Sequence, residues 1–203
     1  DDAVGARRGP GGGRNRLMEA ASEPLVASFD DDSYPVDRDY FARVTNAFER
    51  HPSAGVIAAT IDYREDEQST AQPESTRVSS FVGCGCAYRR GAWQTIEGYV
   101  PLPLAYGMEE VDVSLQFLDE GWTIVHDRRL RIYHDTDRDH HERPEVTAAS
   151  IANRALLAYL RYPLRYWPLG LLQVVNRVVW SVRAGRVNGI ADGIGQIPSL
   201  IQR

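Results

Sequence analysis

The chain contains no lysine, so all 23 of its basic residues are arginine. That excludes chemistry needing a lysine within these residues, such as a Walker A phosphate loop or a Schiff base. Cysteine is nearly as scarce, with only Cys84 and Cys86 present. Two positions apart in an apparent strand, they share a face and are badly placed to bridge each other. They read as buried reduced thiols, which fits a reducing, cytoplasmic compartment. No apolar run is long enough to span a bilayer, and no signal peptide is recognisable. With 43% hydrophobic residues and a net charge of −5, the 203 residues suit one globular domain with a C-terminal appendage, and not a nucleic-acid binder.

The charge that is present is unevenly spread. From Ile151 onward seven arginines face Asp192 alone, a net +6, which leaves −11 over the first 150 residues. An acidic body followed by a basic, aromatic tail suits an enzyme working at an anionic surface.

The most informative stretch is Val26 to Pro35. An apolar run beginning at Pro24-Leu25 reads as a short buried strand and stops at Asp30-Asp31-Asp32. Three carboxylates at a strand's end repel one another unless a cation or hydrogen-bond donors offset the charge. Two readings follow. One is a Mg²⁺ or Mn²⁺ site at the carboxyl edge of an α/β sheet. The other is a polar turn ending at Pro35.

Before it, Arg14 to Ala21 reads as a helix whose first turn can face an anion. After it come a helix over Val36 to His51, with Tyr40, Phe41, Val44 and Phe48 on one face, and a buried strand over Ala54 to Ile61. A polar loop over Asp62 to Arg77 leads to a small-residue strand over Ser79 to Arg89, whose glycines signal close approach of a ligand or another backbone. Arg90 to Gly98 reads as a short helix and Tyr99 to Tyr106 as a loop. The spacing of Val111, Leu115 and Leu118 predicts a helix ending near Gly121, with Glu109 and Glu110 in its first turn, where the helix dipole favours acids whatever their role. Two short strands, Trp122 to Val125 and Leu130 to Tyr133, deliver His134 into a polar loop, Asp135 to Arg143.

Helices are then expected over Val146 to Tyr162 and Leu169 to Gly185, separated by Pro163 and Pro168. In the second, Val174, Val175, Val178, Val179 and Val182 form one apolar face, and Tyr162, Tyr166, Trp167 and Trp180 are interface-type aromatics. These helices either lie in the plane of a membrane surface or pack on the catalytic domain or a second subunit, making a homo-oligomer.

Taken in order, Gly13-Arg14-Asn15, Phe29-Asp30-Asp31-Asp32, Gly85-Cys86-Ala87-Tyr88-Arg89-Arg90, Tyr106-Gly107-Met108-Glu109-Glu110-Val111-Asp112, Gly121-Trp122 and Ile132-Tyr133-His134 resemble a family 2 glycosyltransferase of the GT-A fold. The resemblance runs from about Gly11 to His134. It implies an α/β fold, Rossmann-like, with a mixed sheet and flanking helices, over residues 1–145, plus a C-terminal amphipathic helical extension over 146–203. It also implies inverting transfer from a nucleotide-sugar donor to a saccharide or lipid-linked acceptor, as in making cell-envelope polysaccharide at the cytoplasmic face of a membrane.

By position, Asp30 and Asp32 resemble the first and last acids of the family's Asp-x-Asp motif, the first on the donor ribose and the last on the metal. Asp31 and Arg14 fall with the donor-binding residues. Glu110 stands where the family places its catalytic base, Glu109 holds the preceding acid, and His134 resembles the histidine that completes the metal shell in related enzymes. Three departures accompany the match. Gly107-Met108 replaces a Gly-Gly pair, glutamate replaces aspartate at 110, and the family's opening nucleotide-binding strand and helix have no counterpart. A haloacid-dehalogenase-like phosphatase is disfavoured by Tyr34 two residues after Asp32 and by the missing lysine. The alternative to an enzyme is a non-catalytic binding or scaffold protein derived from such a transferase.

Overall fold

The computed structural model describes residues 10–63, 74–100, 102, 107–136 and 143–201. It divides into two compact units, one of Arg14–Tyr99 and Val113–Thr136, the other of Asp1–Gly13, Val100–Asp112 and Asp137–Arg203. Most of the expected loop over 62–77, all but three residues of that over 99–106 (Tyr106 among those missing) and most of that over 135–143 lie outside the described residues.

The first unit is built on a six-stranded sheet. Strands β1 (Leu25–Phe29), β2 (Ser33–Pro35), β3 (Ala54–Asp62), β4 (Ser75–Val78), β5 (Gly85–Arg89) and β6 (Thr123–His134) lie in the order β1-β5-β3-β6-β2, and β4 also pairs β6. Among the described residues only the β3–β6 pairing is parallel, so the sheet is mixed. Helices α1 (Pro10–Ala20), α2 (Tyr40–Arg50), α3 (Arg90–Trp93) and α4 (Glu109–Asp119) interleave with the strands.

Period-two alternation sorts the strand side chains into two cores. Val56, Ala58, Cys86, Tyr88 and Ile124 meet Met18 of α1 and Val113 and Phe117 of α4. Ile57, Ala59, Ala87, Val125 and Ile132 meet Tyr40, Val44 and Phe48 of α2. A strand covered on both faces needs apolar residues throughout, which is why Ala54 to Ala59 shows no polar alternation. Gly85 answers to packing: a Cβ there would stand 2.4 Å from Ile61 Cδ1 and 3.0 Å from Ile132 Cγ1.

Three expectations are corrected. Phe41 is exposed, because Tyr40, Val44 and Phe48 already form the inward stripe of α2. Cys84 precedes β5, so the two thiols do not share a strand face. The two short strands before His134 are one, β6. The polar run His126 to Arg129 looks like a turn in sequence, yet β4 pairs along its first half, with Thr76 opposite His126 and Ser75 opposite Asp127. Asp127 is fully buried and bonded to Arg129 Nη2 at 2.6 Å and Arg50 Nη2 at 3.0 Å.

A second ion pair ties β6 to the segment before α2. Arg131 grips Asp37 through Nη2–Oδ1 at 2.6 Å and Nε–Oδ2 at 3.0 Å. The Arg131 hydrogen bond and charge, with that of Arg43, hold the Asp37 carboxyl below its ordinary range against the pull of burial. Burial pushes Asp127 upward, but the hydrogen bonds and charge of Arg129, with Arg50, outweigh it and leave it lowered. A folded pKa below the unfolded one adds stability that is present above the unfolded value and lost as pH falls through the folded one. Acid titration followed by circular dichroism should therefore show stability falling below about pH 4. Asp127→Ala should cost about 2 kcal/mol and lower Tm by roughly 5 °C, because the two arginines it strands can still reach water.

The second unit is helical. α5 (Pro144–Arg161) begins with proline at its first position, where the missing N–H costs no bond. A 3₁₀ turn (Leu164–Tyr166) leads into α6 (Trp167–Arg183), and α7 (Ile190–Ile201) follows. α7 carries no helix signal in its sequence, since Gly193, Gly195 and Pro198 all depress helix propensity. Packing overrides propensity there. A Cβ on Gly193 would stand 2.8 Å from the Ala148 carbonyl oxygen, and one on Gly170 would stand 2.5 Å from Ala158 Cβ, so glycine lets α7 and α6 lie close against α5.

The expected valine face of α6 splits. Val174 is buried with Gly170 and Ser181, whereas Val175, Val179 and Val182 join Leu171 and Leu172 on an exposed stripe. Among the described residues, no helix is long and apolar enough to cross a membrane.

Candidate functional site

The acidic stretch sits where β1 ends. β1 runs antiparallel to β5 as far as Phe29 opposite Gly85, and the chain then turns from Asp30 to Ser33 into β2. Ser33 pins the turn: its buried hydroxyl accepts from the Asp30 N–H at 2.8 Å and donates to the Cys84 carbonyl at 2.9 Å. β2 pairs β6 with Ser33 opposite His134, and the Asp135 N–H donates to the Asp32 carbonyl at 2.8 Å. Strand register thus brings residues about a hundred positions apart together. His134 Nε2 lies 3.0 Å from Asp32 Oδ1, and His134 Nδ1 lies 3.6 Å from Cys84 Sγ. One ligand atom from each of Asp30, Cys84 and His134 falls within 4.8 Å of the other two. The Tyr63 ring lies against His134, centroids 5.6 Å apart.

Arg14 is committed on the same side. Its Nη2 bonds Asp30 Oδ1 at 2.5 Å and its Nε donates to Ser28 Oγ at 3.2 Å, with the Tyr99 ring 5.8 Å away. Arg14 is buried, so this guanidinium neutralises one of the three acids from within the protein. Asn15 beside it is a brace, its side chain accepting from the Tyr99 N–H and donating to the Tyr99 carbonyl, both at 2.8 Å. Asp31 points to solvent.

The structure brings Arg14, Asp30, Asp32 and His134 together and leaves Asp31 outside. It adds Ser33 and Cys84. The Gly-Cys-Gly-Cys run offered a thiol, but only the turn geometry puts it beside His134.

In the helical unit, Gly107 and Met108 both adopt positive φ, 79° and 78°, just before α4. Glycine takes this conformation freely. Methionine there carries strain on the order of 1 kcal/mol, so the second position of the pair keeps a glycine's backbone with a side chain attached. The Asp112 N–H closes the first turn of α4 on the Met108 carbonyl at 2.9 Å. Glu109 is buried, and Glu110 is half-buried. Asp112, also buried, is clamped by Arg161 of α5 through Nε–Oδ1 at 2.6 Å and Nη2–Oδ2 at 3.2 Å. Asn153 Nδ2 donates to the Gly107 carbonyl at 3.2 Å. Arg161 and Asn153 carried no sequence signal, since both sit in an ordinary helical pattern some 50 residues away.

Residues 4–97 match the model of Glycosyl transferase family 2. This stretch belongs to that family. Arg14, the three acids and Cys84 lie within it, whereas Glu109, Glu110 and His134 lie beyond it. Among solved structures, GalNAc-T7 with UDP, GalNAc and Mn²⁺ is similar with a TM-score of 0.59 and 13% identity, over 76% of this chain and 35% of that one. The mannosyltransferase PcManGT from Pyrobaculum calidifontis, with GDP-Man and Mn²⁺, is similar with a TM-score of 0.57 and 13% identity, over 96% of this chain and 56% of that one. At this identity the likeness is one of fold. The chain has the GT-A fold, a mixed sheet with flanking helices, and C-terminal helices follow it. It spans about a third of the first of those chains and just over half of the second. No curated protein matches the sequence.

Proposed function

We propose that the chain is the catalytic part of a metal-dependent, inverting glycosyltransferase. It would move a sugar from a nucleotide-diphosphate sugar to a hydroxyl of a saccharide or lipid-linked acceptor. The observation that carries this reading is the convergence of Asp30, Asp32, Cys84 and His134 at one end of a GT-A sheet, the first three within the stretch that matches family 2.

Asp32 and His134 are the residues assigned to hold Mg²⁺ or Mn²⁺. Neighbouring ligand atoms in an octahedral shell with bonds of about 2.1 Å stand roughly 3.0 Å apart, and the two facing atoms are 3.0 Å apart here. Both similar enzymes were solved with Mn²⁺ and with UDP or GDP-Man. When bound, such an ion offsets the charge that builds on the leaving diphosphate. Arg14 holds Asp30 in place for the donor ribose, and Asp31 stands exposed on the donor side. Cys84, with its thiol beside Nδ1, orients the imidazole. Glu110 takes the proton of the acceptor hydroxyl, with Glu109 and Asp112 supporting it. The acceptor oxygen forms its bond to the anomeric carbon as the bond to the diphosphate oxygen breaks, which inverts that carbon without a covalent enzyme intermediate.

The test is to incubate the full-length protein with a panel of sugar nucleotides and Mn²⁺. Release of nucleoside diphosphate that EDTA abolishes is the expected result. Donor binding without any turnover would point to the non-catalytic binding protein, and no donor binding at all would end the reading.

The exposed stripe Leu171, Leu172, Val175, Val179 and Val182, on a segment with net charge +6, suits peripheral contact with an anionic membrane at its cytoplasmic face. Flotation with anionic liposomes should carry the protein upward, and Val175→Glu with Val179→Glu should leave it at the bottom. A wild-type chain that never floats has no such contact, and concentration-dependent dimerisation would then assign the stripe to a second copy.

A further inference from the structure

Helix α6 has three faces, not two. Gly170, Val174 and Ser181 pack inward, and the leucine-valine stripe faces out. A third face, with Gln173, Asn176, Arg177 and Trp180, lines a cavity of about 350 Å³ together with Arg154 and Tyr162. Met108 and Val111, at the start of α4, close its far side. This volume is within the range of small-molecule sites.

The chemistry of the lining is cationic and unbalanced. Ser150 anchors both arginines: its carbonyl accepts from Arg154 Nη1 at 2.8 Å, and its hydroxyl accepts from Arg177 Nε at 2.8 Å. The Arg177 guanidinium also stacks on Trp180, 4.4 Å from the ring centroid, and Arg186 approaches the same ring at 5.4 Å. Among the described residues no aspartate or glutamate pairs with Arg154 or Arg177, in a chain where Arg131, Arg129 and Arg161 each hold one. Burial depresses the pKa of Arg154. Burial, then the charges of Arg154 and Arg186, depress that of Arg177. Two partly desolvated guanidiniums kept side by side with no counter-charge are costly to the folded chain. An anion offsets that cost, and the forked N–H groups left over fit phosphate oxygens in particular. Tyr162 donates to Gln173 Oε1 at 3.0 Å, which turns the Gln173 amide group so that its NH₂ remains as a further donor.

We propose that this pocket binds a phosphate or diphosphate group carried by the acceptor, so that Arg154 and Arg177 select an acceptor by its anion. This rests on the transferase reading given above and names its acceptor class. The apolar stripe on the same helix favours a lipid phosphate over a free sugar phosphate.

Calorimetry on the full-length protein in EDTA, which keeps metal-dependent donor binding silent, is the test. Inorganic pyrophosphate should bind the wild type and bind an Arg154→Gln, Arg177→Gln double variant about tenfold or more weakly, the loss expected for charge-assisted bonds. Donor binding with Mn²⁺ should be the same in both. Should the double variant fail to fold, Asn176→Asp places a carboxylate in the pocket without touching Ser150 and should weaken pyrophosphate equally. Equal pyrophosphate affinity in the wild type and a folded variant overturns the site. Dodecyl phosphate binding more tightly than inorganic phosphate assigns it to lipid phosphates, and equal binding assigns it to free phosphates. If the wild type binds pyrophosphate through these arginines but never binds a sugar nucleotide, the transferase reading fails while the anion site stands.

Discussion

Glu110→Gln in the full-length protein is expected to lower turnover by about two orders of magnitude or more while leaving donor affinity intact. Glutamine preserves the size and hydrogen-bonding reach of the side chain and removes only its basicity. Glu110 lies half-exposed in the first turn of α4, where a carboxylate can meet a substrate, whereas Glu109 beside it is buried. Glu109→Gln should therefore cost less in kcat and more in stability. Asp112 is held by Arg161 at 2.6 Å, so Asp112→Asn should loosen the helix start and move kcat and KM together. Steady-state kinetics on the three variants separates the roles. If Glu109→Gln is inactive and Glu110→Gln turns over normally, the base is one residue earlier. If both remain active, the base lies elsewhere.

Asp32→Ala is expected to remove the Mn²⁺-dependent part of sugar-nucleotide binding, by about a hundredfold or more, since loss of even an outer partner of a metal ligand costs about 10–100-fold. The same change should hardly alter thermal stability. Asp32 is more than a third exposed in its side chain, and its contact with His134 is of the kind that contributes little to folding. That separation is the informative feature: a large binding loss with an unchanged Tm points to a ligand, not a structural acid. His134→Ala should behave likewise, and Cys84→Ser should behave mildly, because the thiol at 3.6 Å from Nδ1 serves to orient the ring. Calorimetry with donor, in Mn²⁺ and again in EDTA, measures all three. Asp32→Ala that binds donor in Mn²⁺ as tightly as the wild type does would falsify the metal assignment.

The parts of this protein visible in the sequence are those encoded over a few residues. The strand ending at Asp30-Asp31-Asp32, the inward stripe Tyr40, Val44 and Phe48, and the acids opening α4 each follow from local spacing and from chemistry that operates within one turn or one strand. The ordered motifs then carried the resemblance to family 2 glycosyltransferases, whose model matches residues 4–97. What failed locally did so where a distant partner overrides a local signal. His126 to Arg129 looks like a turn because charged side chains ordinarily stay in water, yet Arg50 and Arg129 meet the Asp127 charge inside the sheet. The glycines and proline of α7 argue against a helix, but close packing against α5 rewards their lack of bulk. The site itself divides the same way. Which residues are acidic, and that His134 leaves a strand, is written in the chain. That Ser33 pins Asp30 to Cys84, that register sets His134 against Asp32, and that Arg154 and Arg177 share Ser150 depend on pairings between segments far apart in sequence. Strand register and helix crossing are chosen by the total burial of many side chains, a quantity that belongs to no single stretch of the chain.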